Sequence, residues 1–422
     1  MTSVAQAPAG RVERRLLDGE AGLSGEAGIS GEAGLNGEAG LNGEAGLDAH
    51  LARHGRLPIL DGSQIIGMAR DSGLTGRGGA GFPVWRKLTA VTPGGVVIAN
   101  GAEGEPASGK DRALLTYQPN LVLDGLQLAL AATKARAARL YAPKAALAPL
   151  KALLATRQAA GLDRIKVELH AAPDAFVAGE ESAVVSAING SGAVPTDKRV
   201  RIVEAGFLVQ NVETLAHLAL IARYGAGWFL TAGTPDEPGT FLATVSGAVR
   251  RPGVVEAGYG VPLGDLIAAA GGATMDLQAV LIGGYHGGWA PADPALPVSR
   301  RALEPYGASP GAGVVVALPR NACGLGETAR IAGYLADQVA GQCGPCVNGL
   351  PRMAGTLADL AARRPHPGLA TEVERLARMV TGRGACRHPD GTARLVLSAM
   401  RAFEADVVAH LHGRCLATEG LR

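Results

Sequence analysis

The segment LVLDGLQLALAATKARAARLY, residues 121–141, decides the fold class, because its apolar residues recur at the three- and four-residue spacing of a helix. It lies between GVVIAN (95–100) and IKVELHA (165–171), two runs rich in β-branched residues that are typical of strands. The same alternation extends from about residue 49 to 235. It predicts an α/β layer structure for this part of the chain.

The pattern changes twice after residue 235. Between 236 and 322, short strand-like runs such as TFLATVSGAV and AVLIGG surround one short helical segment, which predicts a small β-rich domain. From 323 to 422, four segments with apolar residues three and four apart predict a helical bundle. A chain of 422 residues is long enough for about three domains.

Residues 19–48 consist of five copies of a six-residue unit, GEAGLx or GEAGIx. Two glycines per unit disfavour a helix by about 1 kcal/mol each relative to alanine, and one Leu or Ile per unit cannot bury a face. We therefore expect a flexible N-terminus over 1–48. A short solenoid is the alternative.

The charge distribution excludes one broad class of function. The formal net charge is only +2 and the charges are interspersed, so we expect no nucleic-acid binding. The N-terminus lacks an apolar signal sequence, and no apolar run reaches about 18 residues, so we expect no transmembrane segment. The prediction is a cytoplasmic protein, with docking on a membrane redox partner still possible.

A glycine-rich loop, GRGGAGFPVWRKL (76–88), places four glycines in six positions. Backbone N–H groups in such a loop can approach a phosphate, and Arg77 and Lys87 would supply the opposite charge. An ordinary glycine-rich connector with solvated basic residues fits the composition equally well. The loop alone leaves both interpretations open.

Three further blocks carry acids and amides at strand ends or helix starts: IANGAEGEP (98–106), FVAGEESAVVSAING (176–190) and FLVQNVETLAHLALI (207–221). Groups at these positions can hydrogen-bond a polar ring or a ribose. Each acid can equally be a first-turn Glu that interacts with the helix dipole.

All five cysteines fall in the last quarter of the chain, which favours metal ligation or redox chemistry over a disulfide framework. Cys343 and Cys346 form a CxxC, and Cys386 lies in a glycine-rich turn; these three fit zinc or an iron–sulfur cluster. We expect the remaining two, Cys323 and Cys415, to be buried as small hydrophobic residues.

The histidines show no metal-binding spacing. His410 and His412 are two residues apart at the end of the last helix, so their side chains should point in different directions. We expect both to face solvent.

In this order and spacing, the glycine-rich loop and the polar blocks resemble the NADH-binding flavoprotein subunit of respiratory complex I and its relatives in NAD-reducing hydrogenases and formate dehydrogenases. The resemblance runs from about residue 49 to the last helix. It implies a Rossmann-like FMN domain at 49–235, a β-grasp (ubiquitin-like) domain at 236–322 and a C-terminal helical iron–sulfur bundle at 323–422.

The resemblance also implies roles for individual residues, none of them a general acid or base. The FMN phosphate would contact Gly76, Arg77, Gly78 and Lys87. The rest of the flavin would contact Asn100, Glu103, Gly179, Glu180, Gln210 and Asn211. The nicotinamide nucleotide would contact Phe82, Glu105, Glu181 and Lys198. The cluster would be held by Cys343, Cys346 and Cys386.

Several positions depart from the family pattern. Ala90 and Arg201 replace aromatic residues that in the family stack on the adenine of NADH. The electron donor can therefore be NADH or NADPH. Arg201 would face the 2′-phosphate of NADPH, or it is simply an exposed loop residue. The further departures are Phe176 for Tyr, Ala102 for Asp and Gln210 for Asn. The flavin site is therefore better preserved than the dinucleotide site.

Ala340 replaces the first thiolate of the family's CxxCxxC motif. We expect a 4Fe-4S cluster with atypical ligation, its fourth ligand being a histidine such as His388, another cysteine or solvent. A three-iron cluster and no cluster are the alternatives.

These features favour an enzyme, an FMN-dependent oxidoreductase that passes electrons from NADH or NADPH to an iron–sulfur cluster or to a small ferredoxin-like iron–sulfur partner. A non-catalytic electron-transfer or assembly subunit with a decayed dinucleotide site is the alternative. A third possibility is a module that binds a small ligand through the β-grasp domain.

Overall fold

The structure, a computed structural model, describes residues 15–17, 46–364 and 366–419, without the side chains of 418 and 419. Its first sheet has four parallel strands in the order β3-β2-β1-β4. They are β1 (Val96–Asn100), β2 (Ala137–Pro143), β3 (Val167–Ala172) and β4 (Phe207–Asn211). After β1, the chain adds β2 and β3 on one side of β1 and then places β4 on its other side. The strand order therefore reverses between β1 and β4.

Within the described residues, eight α-helices accompany this sheet. They are α1 (Leu47–His54), α2 (Gly62–Asp71), α3 (Val84–Ala90), α4 (Lys110–Tyr117), α5 (Pro119–Thr133), α6 (Leu147–Ala159), α7 (Glu181–Ile188) and α8 (Val212–Phe229). α5 and α8 pack closely at Gly125, where a Cβ would overlap the backbone of Leu215. The α/β layer structure predicted from the sequence is confirmed.

The helical prediction over 121–141 is wrong for its last residues. α5 ends at Thr133, Lys134 adopts the left-handed conformation (φ 53°), and β2 begins at Ala137. The apolar residues of 137–141 belong to β2, a central strand of the sheet. Because a central strand is buried on both faces, its sequence loses the alternation of apolar and polar residues that identifies a strand.

The second sheet has five strands in the order β6-β5-β9-β7-β8. They are β5 (Thr240–Gly247), β6 (Gly253–Gly258), β7 (Leu277–Ile282), β8 (Gly288–Pro291) and β9 (Val314–Pro319), accompanied by α9 (Leu263–Ala269) and α10 (Arg300–Leu303). β5 and β9 run parallel, and the other neighbours run antiparallel. Its apolar core includes Phe241, Val280 and Val315.

The C-terminal region is helical, as predicted. It contains α11 (Gly324–Asp337), α12 (Leu350–Ala361), α13 (Leu369–Val380), α14 (His388–Ala402), α15 (Glu404–Leu411) and α16 (Leu416–Glu419). The buried Trp289 of β8 joins this bundle to the second sheet, because its indole N–H donates to Thr328 Oγ1 at 2.9 Å and its ring packs edge-on against Phe403.

The described N-terminal tripeptide, residues 15–17, is packed, so the prediction of a flexible N-terminus does not hold there. Leu16 and Leu17 are buried, and the backbone amides of Arg15, Leu16 and Leu17 all donate to Glu256 Oε2. The repeat lies outside the described residues except for Gly46, Leu47 and Asp48, where α1 begins.

A buried charge cluster connects the helices of the first region. Asp124 on α5 accepts hydrogen bonds from Arg157 on α6 and Arg223 on α8, and His50 on α1 lies 2.9 Å away. Burial raises the pKa of Asp124, but the hydrogen bond to His50 and the two arginines outweigh it and lower the pKa. The carboxylate therefore stays ionised.

Removing the carboxylate should leave the buried guanidinium of Arg223 without its carboxylate partner, whereas Arg157 keeps its ion pair with Asp163 at 2.8 Å. We expect Asp124→Ala to lower the free energy of unfolding by about 3 to 5 kcal/mol, measured by urea denaturation. The matched control is Asp71→Ala, whose exposed ion pair with Arg70 should change stability by less than about 1 kcal/mol. Equal effects of the two substitutions would contradict this assignment.

Candidate functional site

The carboxyl ends of β1 and β4 bring two asparagines together. Asn100 and Asn211 are paired in the register of the two strands. Asn100 Nδ2 donates to Gly179 O at 2.9 Å, and Asn211 Nδ2 lies 3.5 Å from Asn100 O. A Cβ added to Gly78 would lie 3.5 Å from Asn211 Cβ. The glycine-rich loop, the turn at Gly179 and both strand ends therefore surround one crevice.

The glycine-rich loop is closed at its base and open at its tip. Gly76 N donates to Phe82 O at 2.9 Å, and Gly79 has a φ of +106°, a conformation that favours glycine. Within the part of the chain that the structure describes, the amides of residues 78–81 donate to no protein acceptor. These amides are available to an anion.

Arg77 holds the loop in place. Its guanidinium is buried and donates to the carbonyl oxygens of Thr75, Pro238 and Thr240, and it lies 4.7 Å from the ring centre of Tyr259. Its backbone amide donates to Thr214 Oγ1 at 2.8 Å. The side chain thus anchors the loop to the second sheet, and the predicted phosphate contact would have to come from the neighbouring amides.

Lys87 is the cation nearer the crevice. Its Nζ lies 2.7 Å from Val209 O on β4 and 2.7 Å from Glu181 Oε1 at the start of α7. The side chain is partly exposed, so this ion pair remains accessible to a ligand. Lys87, predicted to contact the FMN phosphate, and Glu181, predicted to contact the nicotinamide nucleotide, are therefore direct neighbours.

The start of α7 and the end of β4 supply the remaining predicted flavin contacts. Glu180 caps α7 and accepts hydrogen bonds from the amides of Ser182 and Ala183, both at 3.0 Å. Gln210 is buried on β4, and its Nε2 has no hydrogen-bond partner in the described part of the protein. A buried amide without a partner costs about 1 to 3 kcal/mol, which favours an additional acceptor at this position.

Behind the crevice lies a buried polar network that the sequence reasoning missed. Lys110 Nζ lies 2.7 Å from Asp111 Oδ1 and 2.8 Å from Glu213 Oε2. Asn211 Nδ2 donates to Asp111 Oδ2 at 2.7 Å. Burial lowers the pKa of Lys110, but the two carboxylates outweigh it and raise the pKa, so the ammonium stays charged. The network fixes the orientation of Asn211.

Glu103 belongs to the same network rather than to the open crevice. It accepts hydrogen bonds from Ser108 Oγ at 2.6 Å and from the amides of Asp111 and Arg112. Burial, followed by the charge of Asp111, raises its pKa. The only sequence signal was the Lys-Asp pair at 110–111, which starts α4 and is separated from the GAEGEP block (101–106) by three residues.

Glu105 joins the first region to the second sheet. Its Oε2 accepts a hydrogen bond from Tyr285 N at 2.7 Å, and its Oε1 accepts one from Ala107 N at 3.1 Å. Burial raises the pKa of Glu105 to about 7, although both amide hydrogen bonds oppose the shift.

The other residues predicted for a nucleotide are more exposed. Phe82 is 52% exposed at the end of the glycine-rich loop. Lys198 donates to Gly382 O through Nζ and to Ala385 O through its backbone amide, so it contacts the loop that carries Cys386. Arg201 is exposed and lies 3.9 Å from Glu204. The contacts of these residues with a nucleotide stay predictions.

Cys343, Cys346 and Cys386 are brought together. Burial, a hydrogen bond to Cys343 and the nearby Cys386 raise the pKa of Cys346 to about 12. Burial raises the pKa of Cys343 as well, but backbone hydrogen bonds from Ala385 and Cys346, assisted by Lys198, outweigh it and lower the pKa.

The thiol site lies near the crevice at the ends of β1 and β4. Burial raises the pKa of Cys386, and the carboxylate of Glu180 is near enough to raise it further. Lys198 interacts electrostatically with Cys343. Glu180, which caps α7 at the crevice, is therefore also near Cys386.

His388 does not supply a free ligand atom to this site. Its Nδ1 lies 3.2 Å from His286 Nε2, and its Nε2 lies 2.8 Å from Leu335 O. Phe176 packs against both imidazoles. Because both nitrogens of His388 already have partners, the option of His388 as the fourth ligand is not supported.

The prediction that His410 faces solvent is wrong, whereas His412 is exposed as predicted. His410 is buried because α15 packs against α12, and its Nε2 lies 3.6 Å from Cys323 Sγ. Cys415 is buried, as expected, and Cys323 is half-buried.

A cavity of about 480 Å³ lies elsewhere, where the second sheet meets the bundle. Its walls include Pro106, Tyr285, Trp289 and Arg330, and none of the residues predicted for flavin, nucleotide or cluster lines it. The cavity lies beside Glu105, whose carboxylate accepts hydrogen bonds from the amides of Tyr285 and Ala107 in its wall. No helix in the described ranges combines the length and apolar character needed to cross a membrane.

Fold and site together define an α/β protein with a cofactor crevice at the strand reversal and a cysteine-bearing helical region. Three family models match in the same order along the chain: the Nuo51 FMN-binding domain at 69–220, the SLBB domain at 242–284 and the NADH-ubiquinone oxidoreductase-F iron-sulfur binding region at 321–410. In the order of these matches, the chain is similar to the flavoprotein subunits of NADH:quinone oxidoreductases.

Individual proteins agree with this placement. The chain is 28% identical over 379 residues to an NADH-quinone oxidoreductase subunit of Rhizobium meliloti (strain 1021), covering 83% of this chain and 89% of that protein. It is 29% identical over 371 residues to the mitochondrial NADH dehydrogenase [ubiquinone] flavoprotein 1 of Dictyostelium discoideum, covering 80% and 76%.

Among solved structures, an NAD+-reducing [NiFe]-hydrogenase in the air-oxidized state matches with a TM-score of 0.76 and 31% identity. The match covers 85% of this chain and 65% of the hydrogenase chain, so this protein spans less than two thirds of that relative.

The raised pKa of Glu105 predicts a pH dependence of stability. Between pH 4.5, its ordinary pKa, and about 7, the folded protein holds a proton that the unfolded chain releases, so stability should fall as pH rises. Glu105 should account for a fall on the order of 3 kcal/mol in the free energy of unfolding over this pH range. We expect this fall to be absent in Glu105→Gln, measured by urea denaturation at several pH values. Glu256, whose pKa burial also raises to about 7, should retain part of the slope.

The matched control is Glu374→Gln, at a partly exposed carboxylate paired with Arg378. An unchanged pH slope in Glu105→Gln would show that Glu105 is ionised in the folded protein.

Proposed function

We propose that this protein is an FMN-dependent oxidoreductase that passes electrons from NADH to an iron–sulfur cluster. The observation that carries the proposal is the meeting of Gly78, Asn100, Gly179 and Asn211 at the reversal of a parallel sheet, which is where α/β proteins bind nucleotide-like cofactors. The relatives named as NADH-quinone oxidoreductase subunits support the same activity.

The residues at the crevice fit FMN. The amides of residues 78–81 and the ammonium of Lys87 suit a phosphate, because they offer N–H donors and positive charge. The buried Gln210 Nε2 can donate to a ring carbonyl or nitrogen. When bound, FMN supplies the chemistry that couples a two-electron hydride donor to one-electron carriers.

The protein's own contribution is binding, orientation and electrostatics. The Lys110 network fixes Asn211, and the hydrogen bond from Asn100 to Gly179 O holds the turn before Glu180. Glu181, next to Lys87, and Phe82, at the mouth of the loop, are proposed to position the nicotinamide nucleotide. No general acid or base is needed for this role.

For the cluster, we propose Cys343, Cys346 and Cys386 as the protein ligands of a 4Fe-4S group with an atypical fourth ligand. The interactions among the three thiols support this set, as does their position beside Glu180. His388 is engaged by His286 and Leu335. With Ala340 in place of a thiolate, solvent is the ligand that we favour for the fourth position.

We propose three folding units after residue 48: an FMN domain at 49–235, a β-grasp domain at 236–322 and an iron–sulfur domain at 323–422. The mixed strand order of the second sheet, with one parallel central pair, supports the β-grasp assignment. A small ferredoxin-like protein remains the proposed acceptor, and a cytoplasmic location remains a prediction.

The phosphate assignment can be tested with two neighbouring basic residues. We expect Lys87→Met to weaken FMN binding at least about tenfold, because a charged partner for the phosphate is lost. Arg86→Met is the matched control, since Arg86 lies over the Trp85 ring and should leave FMN binding unchanged. FMN fluorescence quenching measures both, and equal affinities would contradict the assignment.

The electron donor can be tested by anaerobic spectroscopy of the FMN-loaded protein. We expect stoichiometric NADH to bleach the flavin absorbance, with NADPH acting far more slowly. Reduction by dithionite but by neither dinucleotide would favour the alternative of a non-catalytic electron-transfer subunit. Preferential reduction by NADPH would assign Arg201 to the 2′-phosphate.

A further inference from the structure

A second group of ligand-type side chains lies at the other end of the helical bundle. Cys323, His410 and Cys415 place their two Sγ atoms and one imidazole nitrogen within 4.8 Å of one another. His410 and Cys415 are buried, and Cys323 is half-buried. We propose that these three residues bind a zinc ion, with solvent as the fourth ligand.

The distances suit tetrahedral zinc. Zn–S bonds of about 2.3 Å and Zn–N bonds of about 2.1 Å place a sulfur and a nitrogen ligand about 3.6 Å apart. Cys323 Sγ lies 3.6 Å from His410 Nε2. Thiolate and imidazole are also the ligand types that zinc prefers over the oxygen ligands of magnesium or calcium.

The surroundings orient both Cys323 and His410. His410 Nδ1 lies 3.1 Å from Leu360 O, so Nδ1 carries the proton and Nε2, which faces Cys323, presents its lone pair. Cys323 caps the N-terminus of α11, and its Sγ accepts a hydrogen bond from Gly326 N at 3.3 Å.

This group is distinct from the proposed iron–sulfur site. Cys323 precedes α11, whereas Cys343 follows its last residue, and the 14 residues of α11 span about 21 Å. Cys415 lies between α15 and α16. A bound zinc would therefore tie the C-terminal end of the chain to the start of the bundle, with release of the proton of each thiol that it binds.

The test uses the full chain, purified anaerobically from cells supplied with zinc, with zinc, iron and sulfide measured per chain. We expect about one zinc ion per chain. Cys415→Ser should lower zinc at least about tenfold while iron and sulfide stay unchanged. The matched variant Cys346→Ser should lower iron and keep zinc, so failure of this proposal is distinguishable from failure of the cluster proposal.

A second measurement needs no variant. Iodoacetamide should label the half-buried Cys323 slowly in the zinc-loaded chain and at least about tenfold faster after zinc is removed with a chelator. Three results would overturn the proposal: zinc unaffected by Cys415→Ser, labelling of Cys323 unaffected by the chelator, or a Cys323–Cys415 disulfide in the anaerobically purified protein.

Discussion

The parallel pairing of β1 with β4 is the constraint on which the functional site depends. The register that sets Asn100 opposite Asn211 places both side chains at the carboxyl edge of the sheet, where the strand order reverses. A shift by one residue would turn both away from the crevice. Hydrogen bonds then extend this arrangement to Gly179, and the buried Lys110 network holds Asn211 from behind. The glycine-rich loop is held against the same point by Arg77.

The crevice and the thiol site have one charged residue in common, Glu180. Glu180 caps α7 at the crevice and influences the pKa of Cys386, while Lys198 interacts with Cys343 and hydrogen-bonds the loop around Cys386. Proximity of this kind is what electron transfer between a flavin and a cluster needs. The cluster that we propose, with Ala340 in place of one thiolate, would keep this position near Glu180.

Much of this arrangement could be predicted from local sequence signals. The α/β layers follow from apolar periodicity, and the polar groups at Asn100, Glu180 and Asn211 could be placed at strand ends and helix starts because those positions carry local signals. Other features depend on contacts between distant segments and left no such signal. Arg77 looked like a phosphate ligand because its neighbours are glycines, yet Thr240 and Pro238 fix its guanidinium. His410 looked solvent-facing because it lies at the end of the last predicted helix, two residues from His412, yet packing against α12 buries it beside Cys323. The Lys110 network required knowledge of which helices pack together.

Hydrogen–deuterium exchange of the chain with and without FMN tests the central claim most directly, because it reports on backbone amides at the proposed contact. The account predicts that FMN slows exchange in the segment 76–82 and at the starts of α7 and α8, while exchange around Cys323 and α15 stays unchanged. Unaltered exchange in 76–82 at saturating FMN, or protection confined to the second sheet, would contradict a cofactor site at the junction of β1 and β4.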